Sequence, residues 1–157
     1  MKIERLNSTE QAGSLSILLG ELTGRSSQDC TLDLEAVVAD PAVRLFVGRE
    51  DDGSIVACGC LCVMETLSGR KGHVEDIVVS GSCRGKGYGR QMMEHIIGVA
   101  RELGPMELFL TSRPSRVAAN ALYQNLGFER KETNCYRMET LKQVQGDGEQ
   151  GDGETSC

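Results

Sequence analysis

A mixed α/β layer, with helices on both faces of a central sheet, is the fold class this sequence predicts, and three observations predict it. The chain has 157 residues, enough for one domain with a real core. Apolar residues repeat with strand and helix periods in turn, in the order β-α-α-β-β-β-α-β-α-β-β. Alternation of this kind buries helical stripes against both sides of a sheet. The third observation is CRGKGYGR at 83–90, a glycine-rich connection between an apolar strand and a long helical stripe.

KIERLN opens the chain as a short strand. STEQAGSLSILLGELTG follows as a helix, with Leu15, Leu18, Leu19 and Leu22 on one stripe and Ser8 or Thr9 as its cap. TLDLEAVVADP reads as a second helix, with Leu34, Val37 and Val38 inward and Pro41 just beyond its end. VRLFVGRE and SIVACGCLCVMETL are two strands joined through DDG, a hairpin signal, and GHVEDIVVS is a third. After the glycines, Tyr88, Met92, Ile96, Val99 and Leu103 recur at helical spacing until Gly104-Pro105 ends the run. MELFLTS is a strand. PSRVAANALYQNLG is a helix with Ser115 as N-cap and Gly127 just past its end, and FERKE and NCYRMET form a last strand pair.

Composition narrows the function classes. Residues 1–140 form the single domain; 141–157 form a glycine-rich acidic tail with little to bury, read as a mobile appendage. That tail sets Lys142 against Asp147, Glu149, Asp152 and Glu154, so it carries half of the net charge of −6. A mildly acidic domain without a basic face argues against nucleic acid as a partner. No apolar run approaches the roughly 20 residues that span a bilayer, and MKIERLNSTEQ lacks a signal peptide's apolar region, so a cytoplasmic, non-membrane protein is expected.

Seven cysteines raise a disulfide or metal reading. Their odd number and scattered spacing speak against a disulfide framework. Cys58, Cys60 and Cys62 would share one strand face about 6–7 Å apart, too far for three thiolates to meet on one zinc. They are expected to be small apolar residues of a packed sheet, with no metal implied.

The 83–90 segment is costly to order, because glycine loses the most backbone freedom on folding. Between a strand and a helix it offers free backbone N–H groups at a helix N-terminus, a ready anion site. Arg84, Lys86 and Arg90 add positive charge, so a phosphate or pyrophosphate is the natural guest. Walker A needs Ser or Thr after its lysine, and here Gly87 follows Lys86. A Rossmann fingerprint needs G-x-G-x-x-G, whereas Gly85-Lys86-Gly87-Tyr88-Gly89 is G-x-G-x-G. The pattern that fits is Arg/Gln-x-x-Gly-x-Gly/Ala, read as Arg84-Gly85-Lys86-Gly87-Tyr88-Gly89.

GHVEDIVVSGSCRGKGYGRQMMEHI followed by ANALYQNLGF resembles the paired signature of the GNAT superfamily of acetyl-CoA-dependent N-acyltransferases, over roughly residues 42–138. The first segment is similar to that of glucosamine-6-phosphate N-acetyltransferases, which also carry a GHVED or GHIED strand. The second departs from them: Thr111 and Ser112 stand where those enzymes have an acidic residue. The resemblance implies a mostly antiparallel sheet splayed at its fourth strand and acetyl-CoA as cosubstrate. It implies that the backbone of Ile77, Val78 and Val79 pairs with the pantetheine arm. It places the pyrophosphate on amides from Arg84 to Arg90, a side-chain cofactor contact at Asn120, and Tyr123 as the donor of a proton to the leaving thiolate. Reference values of about 10 for Tyr and about 8.5 for a thiol make that donation reasonable.

An attacking amine must lose a proton. Glu75 and His73 share one strand parity and occupy positions that serve as bases in parts of the family, Glu75 being the first candidate. Asp76 has the other parity and is expected to anchor neighbouring backbone. Arg113 and Arg116, just past a strand end, could hold an anionic group of the acceptor or reach the cofactor's ribose phosphate. Tyr136 either walls the acceptor site or packs. No cysteine sits in a motif with a neighbouring His, so direct transfer without a covalent enzyme intermediate is expected. The expected function is acetyl transfer to a primary amine of a small molecule. Alternatives are glucosamine 6-phosphate, a protein or peptide amine, or an acetyl-CoA sensor without turnover. The strand-rich C-terminal region would also serve a homodimer.

Overall fold

Strand order in the chain is also strand order in space. The computed structural model describes residues 1–29 and 32–138. It holds β1 (Lys2–Arg5), α1 (Ala12–Thr23), α2 (Leu34–Ala39), β2 (Val43–Arg49), β3 (Ile55–Thr66), β4 (Gly69–Val79), α3 (Tyr88–Glu102), β5 (Glu107–Phe109) and α4 (Val117–Asn125). The sheet runs β1-β2-β3-β4-β5; its first three pairings are antiparallel and β4–β5 is parallel. The expected tail, 141–157, and the last two residues of NCYRMET lie outside the described residues.

Strand alternation divides the core into two. Leu45, Val47, Cys58, Cys60 and Val78 face Leu15, Leu18 and Leu34 of α1 and α2. Phe46, Ala57, Leu61 and Val74 face Met92, Met93, Ile96 and Ala100 of α3. Met92, Met93 and Ile96 are fully buried, and each such side chain contributes about 1.5–3 kcal/mol relative to exposure. No described helix is long and apolar enough to cross a membrane.

Several ends differ from the sequence expectation. Helix α1 starts at Ala12 behind Gln11, whose side chain makes no cap; Thr9 contributes only its carbonyl, which accepts from Ala12 N–H. The cap of α2 is Asp33, whose carboxylate accepts from Ala36 N–H at 2.9 Å. Ser115 is not the cap of α4. It lies inside a turn closed by Arg116 N–H on the Arg113 carbonyl, and α4 begins after Arg116. Gly127 does end α4 in a left-handed conformation at φ 94°. The final strand pair does not form in residues 128–138, which carry no strand. Every residue from 129 to 138 is exposed, so no alternating apolar face there could be buried by pairing.

Two features of β4 create the site. Cys58 pairs with Val78 but Cys60 with Glu75, so Asp76 and Ile77 together oppose Gly59: a β-bulge. Asp76 stands at φ 54°, and a Cβ on Gly59 would collide with the Ile77 side chain that leans over it. Strand β5 pairs only with Lys71, Gly72 and His73, so β4 parts from its neighbour beyond His73.

The cysteine stripe packs as apolar residues do, Cys58 and Cys60 buried and Cys62 half-buried. Burial pushes the Cys58 thiol up to about 12, and it raises Cys60 and Cys62 as well. Cys135 is exposed. Iodoacetamide at pH 8 with peptide mapping should therefore alkylate Cys135 and spare Cys58 and Cys60; labelling of the latter pair in the native protein would contradict this packing. Among the described residues, no three His, Cys, Asp or Glu side chains converge to hold a metal ion.

Candidate active site

Where β4 and β5 part, a cavity of about 320 Å³ opens. Glu75, Asp76 and Ile77 of β4 form one side of its lining; Thr111, Arg113 and Arg116 follow β5, Arg25 follows α1, and Tyr123 comes from α4. Four separate chain segments thus meet in one space. Arg116 links two of them by donating to the Leu22 carbonyl at the end of α1, at 2.8 Å.

The bulge changes the parity on which the sequence reading relied. An added residue in a strand resets which side chains share a face. Glu75 and Asp76 both line the cavity, and the charges of both raise the thiols of Cys60 and Cys62. Asp76 therefore stands beside Glu75, not on the opposite face where it would anchor neighbouring backbone. Its side chain opens to the cavity, yet the surrounding protein excludes enough water to push its carboxyl above the usual aspartate range. No hydrogen bond or ion pair reaches that carboxylate among the described residues. Glu75 lies 4.0 Å from His73 Nδ1. His73 itself stacks on Phe109, ring centroids 5.5 Å apart, and is not part of the cavity lining.

Tyr123 is half-buried, its ring edge-on to Phe128 at 6.2 Å. Burial raises its hydroxyl pKa, and the Arg116 guanidinium works against that rise. The hydroxyl has no hydrogen-bond partner among the described residues, so packing alone does not account for it. Asn120 uses its Nδ2 to hold the β5–α4 loop, donating to the carbonyls of Arg113 at 2.9 Å and Arg116 at 3.0 Å. Arg113 and Arg25 have no ion pair among the described residues. Ser112 is not in the lining, and its buried Oγ has no hydrogen-bond partner among the described residues. Tyr136 is 87% exposed and far from being a wall of this cavity.

The same face continues along β4 to the glycine loop. From Val74 to Val79 the strand has no partner on the β5 side among the described residues, which leaves backbone N–H and C=O groups along one edge unmet by them. Ile77, Val78 and Val79 lie on this stretch. Gly85 and Gly87 are left-handed, at φ 81° and 78°, and a Cβ on either would meet nothing within 4 Å. Gly87 is the N-cap of α3 and offers no side chain to its first turn. The leading amides, including those of Tyr88, Gly89 and Arg90, are therefore open to an anion. An extended ligand ending in a diphosphate fits this edge and this cradle.

The loop's cations are arranged less simply than their sequence suggests. Lys86 pairs with Glu50 at 3.0 Å, Arg84 lies 4.0 Å from Glu21 and Arg90 lies 3.4 Å from Glu94. Tyr88 points its hydroxyl at Glu50, 2.6 Å away. Sequence reading missed Glu21, Glu50 and Arg25, which sit 25 or more residues from the motifs they join. Asp76 carried a usable signal, an acidic residue beside the first-choice base, but the bulge that turns it inward has no pattern of its own in one sequence.

Comparison with known proteins adds an independent finding. The model of the acetyltransferase (GNAT) family matches residues 15–128. A rice (Oryza sativa subsp. japonica) protein described as a probable glucosamine 6-phosphate N-acetyltransferase 2 is 30% identical over 144 residues, 83% of this chain and 83% of that one. Among solved structures, a putative acetyltransferase from Agrobacterium tumefaciens has a TM-score of 0.76 at 23% identity, covering 88% of this chain and 100% of its own. An aminoglycoside N-acetyltransferase in complex with CoA has a TM-score of 0.74 at 19% identity, covering 89% of this chain and 95% of its own. At those identities the two structures show a common fold.

Proposed function

From the premise that the chain belongs to the GNAT acetyltransferase family and is an acetyl-CoA-dependent N-acetyltransferase, we propose that its acceptor is a small primary amine that also carries an anionic group. The observation behind this reading is the split lining of the cavity, with Glu75 and Asp76 from β4 and, from two loops, the guanidiniums of Arg25 and Arg113, which have no ion pair among the described residues. Carboxylates attract an ammonium group, and guanidiniums suit a phosphate or carboxylate at its other end.

Acetyl-CoA supplies a thioester whose carbonyl carbon an amine can attack. Asp76 is the base of this proposal, because among the described residues its carboxyl is the one held above its ordinary range and has no hydrogen-bond or ion-pair partner. Glu75 orients the ammonium beside it. Open amides of the β4 edge hold the pantetheine arm and stabilise negative charge developing on an acyl oxygen. Tyr123 keeps its proton well into the alkaline range and delivers it to a departing thiolate.

Product formation followed by mass spectrometry tests the acceptor class. With acetyl-CoA, glucosamine 6-phosphate and amino acids should outpace glucosamine, polyamines and a short C-terminally amidated peptide without acidic residues by about tenfold or more, as expected for a lost charge-assisted contact. Arg113→Ala should erase most of that difference. Equal rates for glucosamine and its 6-phosphate, or reaction of polyamines alone, would remove the anionic-acceptor reading. The rice relative makes glucosamine 6-phosphate the first compound to try, and the Thr111–Ser112 departure the feature its outcome bears on.

A further inference from the structure

Two carboxylates outside the cavity grip the loop between β4 and α3. Glu50 stands at the end of β2, where its N–H donates to the Ser54 carbonyl at 3.0 Å and its carbonyl accepts from Gly53 N–H at 2.9 Å. The β2–β3 hairpin thus fixes its backbone. Its Oε1 accepts from Tyr88 Oη at 2.6 Å and from Lys86 Nζ at 3.0 Å, with Cys83 Sγ at 3.8 Å. Glu21 of α1 accepts from Gly81 N–H at 2.7 Å and Ser80 Oγ at 3.4 Å, with Arg84 at 4.0 Å. Between them the two residues touch most of the loop from 80 to 88, on both sides of Gly85 and Gly87.

A loop with two left-handed glycines is expensive to order, and any ordering left until a ligand arrives subtracts from affinity. Hydrogen bonds to an ionised acceptor are the strong ones, and a carboxylate on a fixed hairpin imposes its geometry on the flexible partner. The bonds from Tyr88 and then Lys86 hold the Glu50 carboxyl below its usual range, so it is ionised at neutral pH. Lys86 is meanwhile directed at Glu50. The charge pattern alone would read it as a phosphate ligand and Glu50 as a repulsive neighbour, whereas the geometry makes Glu50 the hub on which Lys86 and Tyr88 converge.

We propose that Glu50 is a positioning residue for the cosubstrate, holding residues 83–88 in the shape that receives the diphosphate, with Glu21 holding the start of the same loop. The proposal rests on the acetyl-CoA reading of the site. The two possible effects of Glu50 are of opposite sign: a brace strengthens diphosphate binding, and a mere sequestering of Lys86 weakens it.

The test compares CoA binding by calorimetry in the wild type, Glu50→Ala, Glu50→Gln and Tyr88→Phe, together with steady-state rates. Glu50→Ala should weaken CoA about tenfold, consistent with loss of a charge-assisted contact. Glu50→Gln, which keeps an acceptor for Tyr88, should fall between it and the wild type. The rate loss should appear in KM for acetyl-CoA, with kcat within about twofold. It should vanish when S-acetylpantetheine, which lacks the diphosphate, is the donor. Unchanged or tighter CoA binding by Glu50→Ala would overturn the proposal, as would equal losses with both donors, which would mark general damage to the fold. Should Glu50→Ala fail to fold, Tyr88→Phe still decides, since it removes the 2.6 Å bond and leaves both charges. If CoA does not bind the wild type at all, the acetyl-CoA reading fails before any variant is compared.

Discussion

Tyr123→Phe is expected to lower kcat by about 100-fold or more while leaving CoA affinity within about twofold, the signature of a lost general acid. The ring packs edge-on against Phe128, a contact that phenylalanine keeps, whereas the hydroxyl bonds to nothing among the described residues. Removing it therefore takes away a proton donor without opening a cavity or orphaning a partner. The pH profile carries a second sign of the same role. Proton donation needs the protonated phenol, and burial raises its pKa from the ordinary value of about 10. Activity should fall only as pH rises through that raised value, so an alkaline limb below pH 10 cannot belong to Tyr123. Stopped-flow rates with saturating acetyl-CoA, beside calorimetric affinities, separate the outcomes. Equal losses in rate and affinity would reassign Tyr123 to packing or binding.

Asp76→Asn has the next largest expected effect, a fall in kcat of about 100-fold, against a fewfold loss for Glu75→Gln. The reverse order would transfer the base to Glu75, the first candidate from sequence. The acidic limb of kcat/KM should lie above the ordinary aspartate value of about 3.9, because the base must be ionised and its carboxyl is raised; activity is lost as pH falls through it. Stability should move the other way. A carboxyl whose folded pKa exceeds its unfolded pKa leaves the fold fully stable below the unfolded value and weakens it as pH rises through the folded value. Asn cannot ionise, and it tolerates the left-handed φ of 54° at this bulge at least as well as Asp. Asp76→Asn should therefore raise Tm at pH 7 by about 1–2 °C, a modest figure for a side chain still open to solvent, with the gain shrinking toward pH 4. A Tm lowered at pH 7 would contradict the desolvation of Asp76. Lost activity with gained stability is the common pattern where a site holds a strained or unsatisfied group.

Much of this was legible in the chain. Apolar periodicity placed the five strands and four α-helices found among the described residues, because burying an alternating or a 3.6-residue stripe is a local demand on composition. The strand–glycine loop–helix unit was legible too, since Gly85 and Gly87 are what left-handed backbone at a helix N-terminus requires. The pair FERKE and NCYRMET misled: residues 128–138 carry no strand, and mostly charged and polar side chains there leave little apolar surface for a pairing to bury.

The sequence by itself determined the layer order, the two-sided core, the glycine loop between β4 and α3 and the family to which its motifs point. Tertiary structure alone decided the site. The bulge at Asp76 depends on Gly59 of the neighbouring strand giving room to Ile77, so its cause lies on a different segment from its effect. Arg25, Arg113 and Tyr123 meet Asp76 only because β5 stops pairing after three residues and β4 is left open beyond His73. Glu21 and Glu50 reach the glycine loop from α1 and from the end of β2. Periodicity reports what each segment must bury against water; the convergence of charged groups from separate segments is set by backbone geometry in three dimensions, which leaves no local pattern to read.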